Sequence, residues 1–188
     1  MSLSQLAEDL ESDKVMAMSL ATHHYQLTRR QIKEEGFNII KRPMQLVYGR
    51  QSSDNIRPIE LLLNDETATR TPKAPVLRHL AGTTAMRLNI KVNTEHWTND
   101  ADRPLALLIP DGYWADNKTP PVPIEYDAGS YSQRDVTSKA LEFDKYGLQL
   151  WGTASKTRQK RITEWIHALR IRYVVKYVPW WEPSPPED

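Results

Sequence analysis

From residue 104 to 178 the chain alternates short apolar runs with segments of helical period, and this alternation constrains the fold more than any other feature. Leu105-Ala106-Leu107-Leu108-Ile109 has the length of a buried strand, and Pro110-Asp111-Gly112 ends or bends it. Val122 to Asp127 reads as a second strand, broken by Gly129-Ser130. Ser132 to Tyr146 reads as a helix with Val136, Ala140 and Phe143 on one face. Ser155 to about Arg170 reads as another, with Ile162, Trp165, Ile166 and Leu169 at helical spacing, and Tyr173 to Val178 as a closing strand. Helices interleaved with strands predict a mixed α+β protein. Trp180 to Pro186 reads as an extended Trp- and Pro-rich tail.

The front of the chain has another texture. Leu3, Leu6, Leu10, Ala17, Leu20 and Leu27 form an apolar stripe. Ser12 or Asp13 is a candidate cap for a helix running to about His24. Thr28 and Gly36 would start and stop a second helix. Helix, short turn, helix over 13–36 is the front of a helix-turn-helix, although on the residues alone two ordinary packed helices are the favoured reading. Phe37–Arg50 and Ile56–Leu63 are β-like, with Pro43 and Pro58 pushing them toward sheet edges, so 38–75 reads as a connector carrying a hairpin or wing. In 76–93, Met86, Leu88, Ile90 and Val92 alternate with polar residues as in a strand, yet the same stretch also fits one helix.

Composition excludes several classes. The 188 residues carry 25 Lys+Arg against 24 Asp+Glu, so bulk charge does not announce nucleic acid. There is no cysteine, hence no disulfide framework, Cys-based zinc site or thiol nucleophile. Mean hydropathy is −0.62, and no apolar run approaches the roughly 18 residues of a membrane span. The acidic start MSLSQLAEDLES lacks the apolar core of a signal peptide. The expectation is a soluble cytoplasmic protein with no membrane partner.

Chemistry concentrates between 110 and 146. Glu125 and Asp127 lie two apart on one strand, so their side chains leave the same face, and Asp111 follows the neighbouring apolar run. Three converging carboxylates suit Mg²⁺ or Mn²⁺, which activates water for phosphodiester cleavage. Asp-Gly is also a common turn, and paired acids on an edge strand often only face water. The following helix brings Lys139, Glu142 and Lys145. Further on, Lys156, Arg158, Lys160 and Arg161 cluster at a helix start, and residues 151–176 hold seven basic side chains against the single acid Glu164. These four, with Arg29 and Arg30 of the second N-terminal helix, are the candidate nucleic-acid contacts. His23 and His24 point to different sides of a helix, and His79, His96 and His167 are isolated, so none has metal spacing.

The order Pro110-Asp111-Gly112, then Ile124-Glu125-Tyr126-Asp127-Ala128-Gly129-Ser130, then a helix with Lys139 and Tyr146, resembles the replication-relaxation family of mobile elements, a branch of the PD-(D/E)xK nuclease-like superfamily. Leu77 to Leu88 is similar to the helix that opens that domain, and Asp13 to Phe37 to the start of the winged helix such proteins often carry. The resemblance implies a helix at 76–93 and an HTH-like segment over 1–37. It also implies a restriction-endonuclease-like α/β core over 76–179, followed by the tail 180–188. Asp111, Glu125 and Asp127 would surround Mg²⁺ or Mn²⁺, with DNA as the partner of a plasmid or phage protein. The superfamily pattern has Lys two residues after the acidic strand residue, where this chain has Asp127. Either Lys139 substitutes for it, or the lysine is missing and the fold binds DNA without cutting it. A homodimer or larger mobile-element complex is a further expectation. The leucine stripe and the Trp-rich tail equally suit a non-enzymatic assembly subunit.

Overall fold

A computed structural model describes residues 2–47, 55–101, 108–116 and 120–183. The expected strand Leu105–Ile109 lies outside the described residues over 105–107. The same holds for the connector over 48–54 and the tail from 184 on.

The chain opens with α1 (Leu3–Asp13), capped by Ser2, whose Oγ accepts from Gln5 N–H. The sequence suggests one helix from Asp13 to His24; instead α1 ends there. Lys14 turns with φ +64°, and Val15–Ala17 form strand β1 before α2 (Met18–Tyr25). Tertiary pairing overrides local periodicity: β1 pairs antiparallel with Leu61–Leu63 and buries Val15 and Met16 completely. Helix α3 (Arg29–Glu34) starts at Thr28 with a capping box, Thr28 and Gln31 each accepting from the other's backbone N–H. It stops before Gly36, whose φ of +89° suits glycine.

Strands β2 (Asn38–Gln45) and β3 (Ile56–Leu63) form an antiparallel hairpin, and the first sheet has the order β1-β3-β2. Pro43 lies opposite Pro58, so neither residue of that pair has an N–H to give the ladder. Asn64 caps the short α4 (Asp65–Arg70).

Helix α5 (Ala74–Ile90) is the axis of the molecule. Every residue from Leu77 to Arg87 is buried. A helix buried all round has no polar stripe, which is why its sequence also reads as a strand. One side meets β1; another lies on the second sheet. That sheet contains β4 (Trp97–Asn99), β5 (Gly112–Trp114), β6 (Val122–Asp127), β7 (Gln149–Thr153) and β8 (Tyr173–Tyr177), in that spatial order. The first three are antiparallel; β6, β7 and β8 are parallel. Helices α6 (Gln133–Phe143) and α7 (Lys156–His167) make the parallel crossovers.

Two cores result. One runs continuously from Leu6 through β1, β3 and α5 to Trp180; the other joins Val136, Ala140 and Phe143 of α6 to Trp151, Ile162 and Ile166. α5 approaches the sheet closely because glycine faces each large neighbour. Gly82 lies under the Tyr126 ring, and Met86 lies over Gly152. A buried polar knot ties α5 to the N-terminal unit. Arg87 donates to Asp13 at 2.6 Å and to Asp9 at 3.1 Å, and Tyr25 donates to Asp9. Trp180 folds back, its Nε1 donating to Leu46 O, while Ser19 donates to Trp181 O. Among the described residues no helix is long and apolar enough to cross a membrane.

Candidate metal centre

β5 and β6 bring the first two acids together. Gly112 lies opposite Ile124, so extending that register by one residue sets Asp111 opposite Glu125. Asp111 sits where the ladder ends, and its Oδ2 accepts from Tyr126 N–H at 2.7 Å. This anchors the carboxylate to the neighbouring strand. Glu125 is completely buried. Its Oε1 accepts from Lys139 Nζ and from Tyr131 O–H, both at 2.6 Å. Its Oε2 is buried without a hydrogen-bond partner. Lys139 reaches in from α6 and is itself buried, 5.1 Å from the Tyr131 ring centre.

The electrostatics follow from this crowding. Burial, and then the Asp111 charge, push the Glu125 carboxyl up to about 7 against the opposing pull of Lys139 and Tyr131. Burial and the neighbouring Glu125 raise the Tyr131 phenol far above its ordinary value, so it stays a hydrogen-bond donor.

Asp127 is also completely buried, but it serves another purpose. One oxygen accepts from Gly129 N–H at 2.6 Å and the other from Arg158 Nε at 2.7 Å. Arg158 also donates to Tyr131 O and lies over the Trp165 ring. Asp127 thus pins the loop after β6 to α7. The three-carboxylate grouping expected from the sequence is not assembled: no set of three or more His, Asp or Glu among the described residues is arranged to hold a metal ion.

A fourth residue faces the acids. His79, buried in α5 one turn before Gly82, has Nδ1 3.7 Å from Asp111 Oδ2, an ion-pair distance longer than a hydrogen bond. Burial opposes charge on this imidazole, but Asp111 outweighs it and the net shift is upward. His79 and Tyr131 escape sequence reasoning because α5 offers no polar stripe against which one histidine stands out, and a tyrosine before a helix cap carries no special signal.

Of the proposed nucleic-acid contacts, Lys156, Lys160 and Arg161 are exposed on α7. Arg158 is committed to Asp127. Arg29 is paired with Glu60 of β3, and Arg30 with Glu34 one turn along α3. A groove of about 1140 Å³ lies elsewhere, between α1, α2 and the end of α5, and none of the acidic-cluster residues lines it.

No protein-family model, curated protein or solved structure matches this chain.

Proposed function

We propose that this chain is a divalent-metal-dependent nuclease that hydrolyses phosphodiester bonds in DNA, serving a plasmid, phage or other mobile element. The observation that carries the reading is the orphaned, fully buried Glu125 Oε2 beside Asp111. A buried carboxylate oxygen without a donor is expensive unless a cation or proton meets it. The donor set fits Mg²⁺ or Mn²⁺, which take one or two carboxylates and leave the remaining positions to water and substrate phosphate. Asp111 and Glu125 would hold the ion, whose chemistry when bound is to polarise a phosphate oxygen and activate a water.

The element order supports the same reading. A helix (α5), three antiparallel strands (β4, β5, β6), a helix (α6) and a parallel strand (β7) follow the helix–strands–helix–strand order implied by the nuclease resemblance. Asp111 heads one strand and Glu125 lies on the next. Lys139 holds its ammonium at Glu125 from the following helix and would steady charge developing on the phosphate. Asp127 and Arg158 would keep the loop over 128–131 in place. Lys156, Lys160 and Arg161 would track the DNA backbone. At the front, helix, strand, helix, helix and hairpin with strand order β1-β3-β2 follow the order of a winged helix, in which α3 would meet the major groove.

Asp111→Ala tests the reading. Cleavage of plasmid and oligonucleotide DNA with Mg²⁺ or Mn²⁺ should fall by at least about a thousandfold. DNA binding in gel shifts should survive. Full activity in the variant would remove the site. A second reading, a metal-independent DNA-binding regulator on the same fold, draws on one observation: Lys139 already neutralises Glu125 within a closed, buried pair. It requires salt-dependent DNA binding that no divalent ion alters.

A further inference from the structure

We propose that Tyr131 is a positioning residue for the cleavage reaction: its hydroxyl, together with the Lys139 ammonium, holds Glu125 by Oε1 and so leaves Oε2 as the oxygen this carboxylate presents. The inference rests on the nuclease reading above and adds to it the residue that sets how Glu125 is offered.

The fold treats the two oxygens of Glu125 differently. Oε1 accepts two hydrogen bonds at 2.6 Å, one from the Tyr131 hydroxyl and one from Lys139 Nζ. Oε2 is buried with no hydrogen-bond partner among the described residues. The last torsion of a glutamate is broad and roughly two-fold, so a carboxylate left to itself exchanges its oxygens by turning. Two charge-assisted or carboxylate-directed donors on one oxygen remove that freedom. Lys139 comes from α6 and Tyr131 from the loop before it, so the two approach on separate stretches of chain.

Tyr131 is itself fixed from several sides. It is buried, and its N–H donates to Asp127 Oδ1 of β6 at 3.5 Å. Its carbonyl oxygen accepts from Arg158 of α7. The next residue, Ser132, caps α6, its Oγ accepting from Asp135 N–H. The ring stands 6.2 Å from the His79 ring and 5.1 Å from Lys139 Nζ. A phenol has one hydrogen to give, and here it goes to Glu125. The loop that Asp127 and Arg158 hold in place therefore delivers one donor to one carboxylate oxygen. Removing a group that hydrogen-bonds a ligating carboxylate typically changes metal affinity or activity by about 10–100-fold.

Tyr131→Phe keeps the ring and removes only the hydroxyl. Cleavage of DNA with Mg²⁺ is followed in the wild type, in Tyr131→Phe and in Asp111→Ala, with folding checked by circular dichroism and DNA affinity by fluorescence anisotropy. In Tyr131→Phe, kcat should fall by about 10–100-fold while KM and DNA affinity stay within about twofold. A second measurement reads the contact without activity. In wild-type protein with ¹³C-labelled tyrosine, the Tyr131 hydroxyl proton should give a slowly exchanging, downfield NMR resonance that persists when Mg²⁺ is added. The inference is overturned if kcat in the folded variant falls by less than about tenfold, or if KM or DNA affinity shifts by more than about twofold. It is overturned equally if the wild-type resonance is absent or vanishes with Mg²⁺, because Oε1 is then not held by Tyr131 in the working site. If Tyr131→Phe does not fold, the wild-type spectrum decides. The two readings separate: cleavage that needs Asp111 but not the Tyr131 hydroxyl removes this role alone. A wild-type protein that cuts no DNA removes the nuclease reading, and this role with it, whatever the spectrum shows.

Discussion

Glu125 is a completely buried carboxyl group, and its ionisation is linked to the stability of the metal-free protein. An ordinary glutamate titrates near 4.5; burial and Asp111 bring this one to about 7 in the fold. Between those values the native state holds a proton that the unfolded chain releases. The stabilisation is therefore fully present below 4.5 and is lost as pH rises through about 7, worth at most about 3 kcal/mol. Urea unfolding at pH 5 and pH 8 should show this fall in the wild type and not in Glu125→Gln. At this scale the sequence was legible where chemistry is local. Asp111 and Glu125 could be named because a turn dipeptide and a strand period fix where they point. That Asp127 faces Arg158 rather than Glu125 could not be read, because its partner lies 31 residues away on another element.

At the scale of elements, the contact between α5 and its sheet depends on two glycines. A Cβ on Gly82 would lie 2.2 Å from the Tyr126 ring, and that ring is buried with its hydroxyl donating to Val178 O. It cannot step aside. Gly82→Ala should cost about 1–3 kcal/mol or more, seen as a lower urea midpoint with an unchanged slope. Gly152→Ala should also be destabilising: the end of Met86 at 2.3 Å can move, but the same Tyr126 ring stands 2.9 Å from the added Cβ. β2, β3, β6 and β8 were readable as apolar or β-like runs and α6 and α7 from helical period, whereas β4 and β7 were not read. α5 was ambiguous because it presents no single apolar face, and β1 was invisible because three residues become a strand only when β3 lies beside them.

For the whole molecule, the even charge balance conceals exposed basic residues on α7. Lys160→Ala and Arg161→Ala should each weaken DNA binding for all sequences alike and each reduce the slope of log affinity against log salt by about 1, as measured by fluorescence anisotropy. The two halves of the chain are joined by a core that runs from Leu6 to Trp180 and by the buried Arg87 knot. Arg87→Ala would strand Asp13, completely buried, beside the buried Asp9. A loss of about 3–5 kcal/mol is expected, with both sheets unfolding in a single transition followed by circular dichroism and tryptophan fluorescence. Segment boundaries drawn from composition did not foresee this union, because the ties between them are single side chains far apart in sequence.

The Arg87 knot also bears on descent. An arginine shared by two buried aspartates cannot be exchanged one residue at a time without passing through a form that holds an unmatched charge. Changes at positions 9, 13 and 87 should therefore be inherited as a set, and a lineage that has lost one of them should have replaced the others as well.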